Sequence, residues 1–261
     1  MKSRMNRMTQ FLSAVSLAAL FAVAGCGSGG GGGAQVSNTA LHDAAKQNDP
    51  AAIKAALNNS PGGVDGRDSS KATPLITAAK GNAIDAMQTL LDAGANINAV
   101  DKDNYTALHW AIYNNNPASV HFLLEHHADP NLRDDSEETP VMMATKKGMT
   151  VVVADLADHG ADLNIPDKSK WTPLEYAVKN SNLEIVKILL GKTANPNTHD
   201  SDGWTPLLYA CDNGSIEIVK LLVEKGANPN LRSNDGTSPL AKAKKHDYGE
   251  IVKYLEDRNA Q

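Results

Sequence analysis

Apolar residues recur along this chain at helical spacing, in pairs of short segments separated by a break. Residues 206–212 form one segment, Asn213-Gly214 interrupts it, and residues 216–225 form the second. In the second segment Ile218, Leu221 and Leu222 fall at three- and four-residue intervals, which places them on one face of a helix. The spacing predicts a short helix over 206–212 and another over 216–225. Thr205-Pro206 supplies a start signal, a hydroxyl to cap free amides and a proline suited to the first helical position. Gly226 supplies the stop.

The same unit returns along the chain. Thr73-Pro74-Leu75 is followed by Thr106-Ala107-Leu108, Thr139-Pro140-Val141, Thr172-Pro173-Leu174, Thr205-Pro206-Leu207 and Ser238-Pro239-Leu240, each 33 residues after the last. A looser copy, Thr39-Ala40-Leu41-His42, begins 34 residues before Thr73. Asn98, Asn131, Asn164, Asn197 and Asn230 keep the same step, as do the pairs Leu90-Leu91, Leu123-Leu124, Leu189-Leu190 and Leu221-Leu222. Seven units follow, beginning near Asn38 and residues 68, 101, 134, 167, 200 and 233. One unit has no partner for either face of its helix pair, so stability requires stacking.

This pattern resembles the ankyrin repeat from residue 38 to 261. The resemblance implies an all-α solenoid of helix-turn-helix units joined by β-hairpin loops, with the first and last units as caps. Lys242, Lys244, Lys245 and Asp247 suit a cap, where an inner unit would be more apolar. Two departures stand out. The helix-ending glycine (Gly94, Gly160, Gly226) is His127 in unit three and Thr193 in unit five. A left-handed backbone strains a β-branched residue, so Thr193 is expected to mark a local weakness or a loop reshaped for contact. The hairpin glycine (Gly203, Gly236) is Lys71, Asn104, Glu137 and Lys170 elsewhere.

The first 37 residues follow a different logic. Lys2, Arg4 and Arg7 precede a 14-residue apolar run over 11–24, which is short for a membrane-spanning helix of about 20 residues. A charged start, a short apolar run and small residues at its end describe an export signal over 1–25. Val23-Ala24-Gly25-Cys26 resembles the bacterial lipoprotein box, which implies a diacylglycerol on Cys26. Gly27 rather than Asp after that cysteine implies, by the same resemblance, an outer-membrane address facing the periplasm. Residues 26–37, rich in glycine, form a tether of about 20 Å between anchor and repeats. The only other cysteine, Cys211, then has no disulfide partner. Removal of three cations with the signal takes the formal charge from −5 to −8. An acidic chain argues against nucleic acid as a partner and favours a basic protein.

The sequence offers little to a catalyst. It lacks a phosphate loop, a nucleophile elbow and a zinc motif, so neither a metal nor a cofactor is expected. His126-His127 has no spaced third ligand, and Cys211 sits at a small packing position with no assigned base. Asp134, Asp135, Glu137 and Glu138 cluster in one hairpin and are expected to form a solvated or partner-facing acidic tip.

The ankyrin resemblance implies contact with another protein through hairpin tips and the concave first helices. Two positions in each unit commonly reach that surface: the residue before the threonine and the second after the leucine. In units three to six these are Tyr105 and Trp110, Glu138 and Met143, Trp171 and Tyr176, Trp204 and Tyr209. Six of the ten aromatic residues beyond residue 25 fall there, and such side chains anchor interfaces. A competing expectation is that tryptophan before Thr-Pro-Leu packs between hairpins. Lipid-anchored ankyrin proteins resemble immunity proteins that neutralise secreted, membrane-attacking effectors such as phospholipases. The alternative is an envelope or stress-related scaffold for an endogenous periplasmic protein. In either case the unbound chain is expected to be a monomer.

Overall fold

A computed structural model describes residues 39–258 and 260. The expected signal (1–25), Cys26 and the tether (26–37) lie outside the described residues. Seven helix pairs follow one another: α1 Thr39–Lys46 and α2 Pro50–Leu57, α3 Pro74–Lys80 and α4 Ile84–Asp92, α5 Ala107–Tyr113 and α6 Pro117–Glu125, α7 Pro140–Lys146 and α8 Thr150–Asp158, α9 Pro173–Lys179 and α10 Leu183–Gly191, α11 Pro206–Asn213 and α12 Ile216–Glu224, α13 Pro239–Lys245 and α14 Gly249–Glu256. Among the described residues there is no strand. The hairpin loops are tight fingers without a strand ladder. No helix among them is long and apolar enough to cross a membrane.

Four of the predicted caps form through the hydroxyl, whereas Thr139 makes no such bond. Thr73, Thr106, Thr205 and Ser238 each accept a hydrogen bond from the amide three residues on, opening α3, α5, α11 and α13. Each first helix packs on the first helix of the next unit, and these contacts are more extensive than those between second helices. The small residue at their crossing explains the close approach. Ala78, Ala111, Ala144, Ala177, Ala210 and Ala243 recur at the 33-residue step, all fully buried. One continuous apolar core runs from Leu41 to Leu255 and includes Leu90, Leu123, Leu189 and Leu222.

Polar side chains stitch the units together. The Oδ1 of Asn98, Asn131, Asn164 and Asn197 accepts the amide of the residue 31 positions on, at 2.7–2.9 Å. The Nδ2 of Asn131, Asn164 and Asn197 donates to the carbonyls of Gly160, Thr193 and Gly226. The periodic asparagine is therefore a staple between neighbouring units.

The strain expected at Thr193 is absent. His127 does take the left-handed conformation, with φ 64°, but Thr193 is not among the positive-φ residues. α10 ends at Gly191, in register with the other inner second helices, and Lys192 turns the chain at φ −105°, ψ −118°. The departure falls on Lys192, and the β-branched residue is spared the left-handed region.

The fingers hold the left-handed turn whatever residue stands there. Lys71, Asn104, Glu137 and Lys170 take φ of 57–63°, alongside Gly203 and Gly236. Gly203 has a second constraint: a Cβ there would lie 2.8 Å from the backbone nitrogen of Asn234 on the next finger.

Candidate protein-binding surface

One aspartate organises each inner finger. Asp68, Asp101, Asp134, Asp167 and Asp200 each accept, through Oδ1, the amides two and four residues on, at 2.8–3.0 Å. In unit seven Asp235 takes over, accepting from Ser233 and Thr237. These bonds hold the carboxylate of Asp235 down near pKa 2.

The second carboxylate oxygen reaches the adjoining first helix. Asp101 Oδ2 accepts Trp110 Nε1 at 2.7 Å, Asp167 Oδ2 accepts the Tyr176 hydroxyl at 2.5 Å, and Asp200 Oδ2 accepts the Tyr209 hydroxyl at 2.5 Å. A finger and a helix are thereby locked by one side chain. Burial, then the partner aspartate, pushes the Tyr176 phenol up to about 12 and raises that of Tyr209 further. Both are neutral donors at any physiological pH.

The aromatic residues fall into two groups. Trp171 packs at a tilt against Tyr176 and Tyr209, with ring centroids 4.9 and 4.8 Å away, and Trp204 lies 4.9 Å from Tyr209. The row is half-buried, and these tryptophans pack against tyrosines of the first helices. In unit three, Tyr105, Trp110 and Tyr113 meet edge to face at 5.3–6.4 Å. Burial and the neighbouring Asp134 carboxylate push the Tyr105 phenol up to about 12.

Lysines cover this row, which the sequence reading missed. Lys80 lies 3.8 Å from the Trp110 ring, Lys146 4.1 Å from Tyr176, Lys179 4.5 Å from Trp171, and Lys242 4.4 Å from Trp204. Each such contact contributes about 0.5–2 kcal/mol. The signal was present: Lys80, Lys146 and Lys179 sit in the last turn of the first helix at multiples of the repeat step. The face is thus alternately aromatic and cationic, with acidic groups at the finger bases, rather than simply acidic.

Two expected positions are corrected. Met143 is 6% exposed, because at this site α7 turns its side chain into the stack between neighbouring first helices. Asp134 is also 6% exposed, because it is the finger's internal anchor and not part of a solvated tip. Asp135 and Glu137 remain exposed. Asp135 accepts from Asn104 at 2.6 Å, and Glu137 pairs with Arg133 at 3.2 Å. Glu138 is half-buried and paired to Lys146. Its charge is met within the chain.

Glu175 escaped notice. It occupies the third position of α9, fully buried, with Oε2 accepting the Thr172 amide at 2.5 Å and Oε1 unbonded. Burial raises its carboxyl to about 7, against the pull of Thr172 and Thr198 and with a further push from Asp200. The sequence signal was the capping-box spacing Thr172-x-x-Glu175. In unit three His109 does the same for Thr106 and is held neutral by burial. Cys211 is buried, and burial pushes its thiol up to about 12, a packing residue rather than a nucleophile. His126 is stacked on Phe122 at 4.1 Å with Nδ1 on the Phe122 carbonyl.

Repeated helix pairs on a continuous core, carrying a row of half-exposed aromatic rings, define a repeat scaffold for protein–protein contact. A family model described as ankyrin repeats (3 copies) matches residues 41–134, 126–200 and 192–261. The chain belongs to the ankyrin-repeat family. It is similar to an ankyrin repeat domain from Acinetobacter baumannii AYE, with 35% identity, TM-score 0.69, and coverage of 72% of this chain and 98% of that one. It also resembles the ankyrin repeat domain of Bcl-3, a member of the IkappaB protein family. There the identity is 29%, the TM-score 0.75, and the coverage 82% of this chain and 97% of that one. No functionally curated protein matches the sequence significantly.

Proposed function

We propose that this protein is a lipid-anchored scaffold that captures one protein partner on the face of units three to six. The observation that carries the reading is the row Tyr105, Trp110, Trp171, Tyr176, Trp204 and Tyr209, held in place by finger aspartates and flanking lysines. Rings held in one conformation lose little entropy on binding. The export-type start and Cys26 support a periplasm-facing anchor at the outer membrane, with the glycine tether giving reach. An anchored, preformed binding face suits an inhibitor that meets an incoming effector, such as a phospholipase, at the membrane.

The binding face is tested by substituting its rings. Trp171→Ala and Trp204→Ala weaken capture of a partner pulled down from periplasm and identified by mass spectrometry. Capture equal to that of the parent chain would sink the assignment of this face. The inhibitor role is tested by deleting the gene. The deletion strain becomes sensitive to a sibling's secreted effector, and unchanged survival against every encoded effector leaves the scaffold for an endogenous partner as the reading.

A further inference from the structure

One part of this face differs from the rest. Between the fingers of units three and four lies an open cleft of about 340 Å³, lined by Asp103, Tyr105, Trp110, Tyr113, Asp134, Asp135 and Ser136. Three of the lining residues are aromatic and three carry carboxylates; none is a cation. Tyr113 is 52% exposed, although it belongs to the cluster with Tyr105 and Trp110. Asp134 and Asp135 are engaged within the fingers. Asp103 is exposed. The surrounding cations sit outside the lining: Lys80 over Trp110, Lys147 5.2 Å from Tyr113, and Lys168 Nζ on the Asp135 carbonyl.

We infer that this cleft receives an arginine side chain of the partner protein, its guanidinium stacked on Tyr113 and Trp110 and paired with Asp103 and Asp135. The inference rests on the protein-binding reading above and names the chemistry that one end of that face selects. Ring quadrupoles attract a cation over their faces. Lys80 and Lys147 already use this attraction from the flanks. An arginine fits better than a lysine, since its planar fork stacks on rings and donates to two separate carboxylates at once. Tyr113 is exposed, as an interface anchor is in the unbound chain.

The test uses the full chain, 15N-labelled, with N-acetylarginine amide as probe and N-acetylcitrulline amide as its uncharged counterpart of the same shape. The arginine derivative shifts the Trp110 indole N–H saturably, and the citrulline derivative binds about tenfold or more weakly, as loss of a charge-assisted contact requires. The Trp171 and Trp204 indoles stay in place. Tyr113→Ala, and separately the pair Asp103→Asn with Asp135→Asn, abolish the shift while circular dichroism is unchanged. These sites are exposed, so folding is preserved. Equal shifts with citrulline, movement of all three indoles, or full binding by either variant would overturn the inference. Capture of a partner by a chain that ignores arginine would do so as well, while leaving the wider binding face intact.

Discussion

Replacing Glu175 by glutamine removes a buried carboxyl whose ionisation works against the fold. In the folded chain the group is fully buried and its pKa lies near 7; the ordinary value is 4.5. Below pH 4.5 the carboxyl is protonated in both states and contributes nothing. Between 4.5 and 7 the folded chain keeps a proton that the unfolded chain has lost, so stability falls as pH rises. Above 7 both states are ionised and the cost is complete. A difference of about 2.5 units is worth about 3 kcal/mol at 1.36 kcal/mol per unit. Glutamine retains an oxygen for the Thr172 amide and carries no charge. Glu175→Gln and the parent chain should therefore unfold at nearly equal urea concentrations at pH 4. By pH 8.5 the variant should be the more stable by up to about 3 kcal/mol, followed by far-ultraviolet circular dichroism. A difference that stays constant with pH, or a variant that is weaker at pH 8.5, would refute the argument that burial raises this carboxyl.

The remaining expectations concern staples, fingers, the thiol and the anchor. Asn164→Ala leaves the Asn195 amide and the Thr193 carbonyl without their staple and should lower stability by about 1–2 kcal/mol, read by urea unfolding. Gly203→Ala presses a methyl group against Asn234 and should cost about 1–3 kcal/mol, whereas Glu137→Gly at the equivalent finger position should be neutral or slightly stabilising. Cys211 should resist a thiol reagent in the native protein and react at the unfolding rate; fast native labelling would place it at the surface. Cys26→Ala should release the protein from membranes into the soluble fraction, and continued membrane attachment would end the lipidation proposal.

Much of the fold was legible because its determinants are local and repeated. Thr-Pro caps, paired leucines and helix-ending glycines each act within a few residues, and six copies in register left one architecture. The asparagine marker was visible too, although only the stack revealed that it bonds to the unit 31 residues on. Glu175 was legible in principle, as the acidic third residue of a capping box. Its burial was not, because Thr198 at the end of its own unit and Asp200 of the next are brought to it only by the fold.

The sequence by itself determined the repeat, its period and which residues stand on the first helices and fingers, since these follow from spacing along one chain. Only the tertiary structure decided which of those residues face solvent. Met143 and Asp134 occupy positions expected on the surface yet are buried, whereas Tyr113 is exposed beside them. The physical reason is that exposure in a stacked array is set between units. Each side chain is covered or left open by the helix and finger 33 residues away, and a lysine arriving from a neighbouring helix can cover a ring.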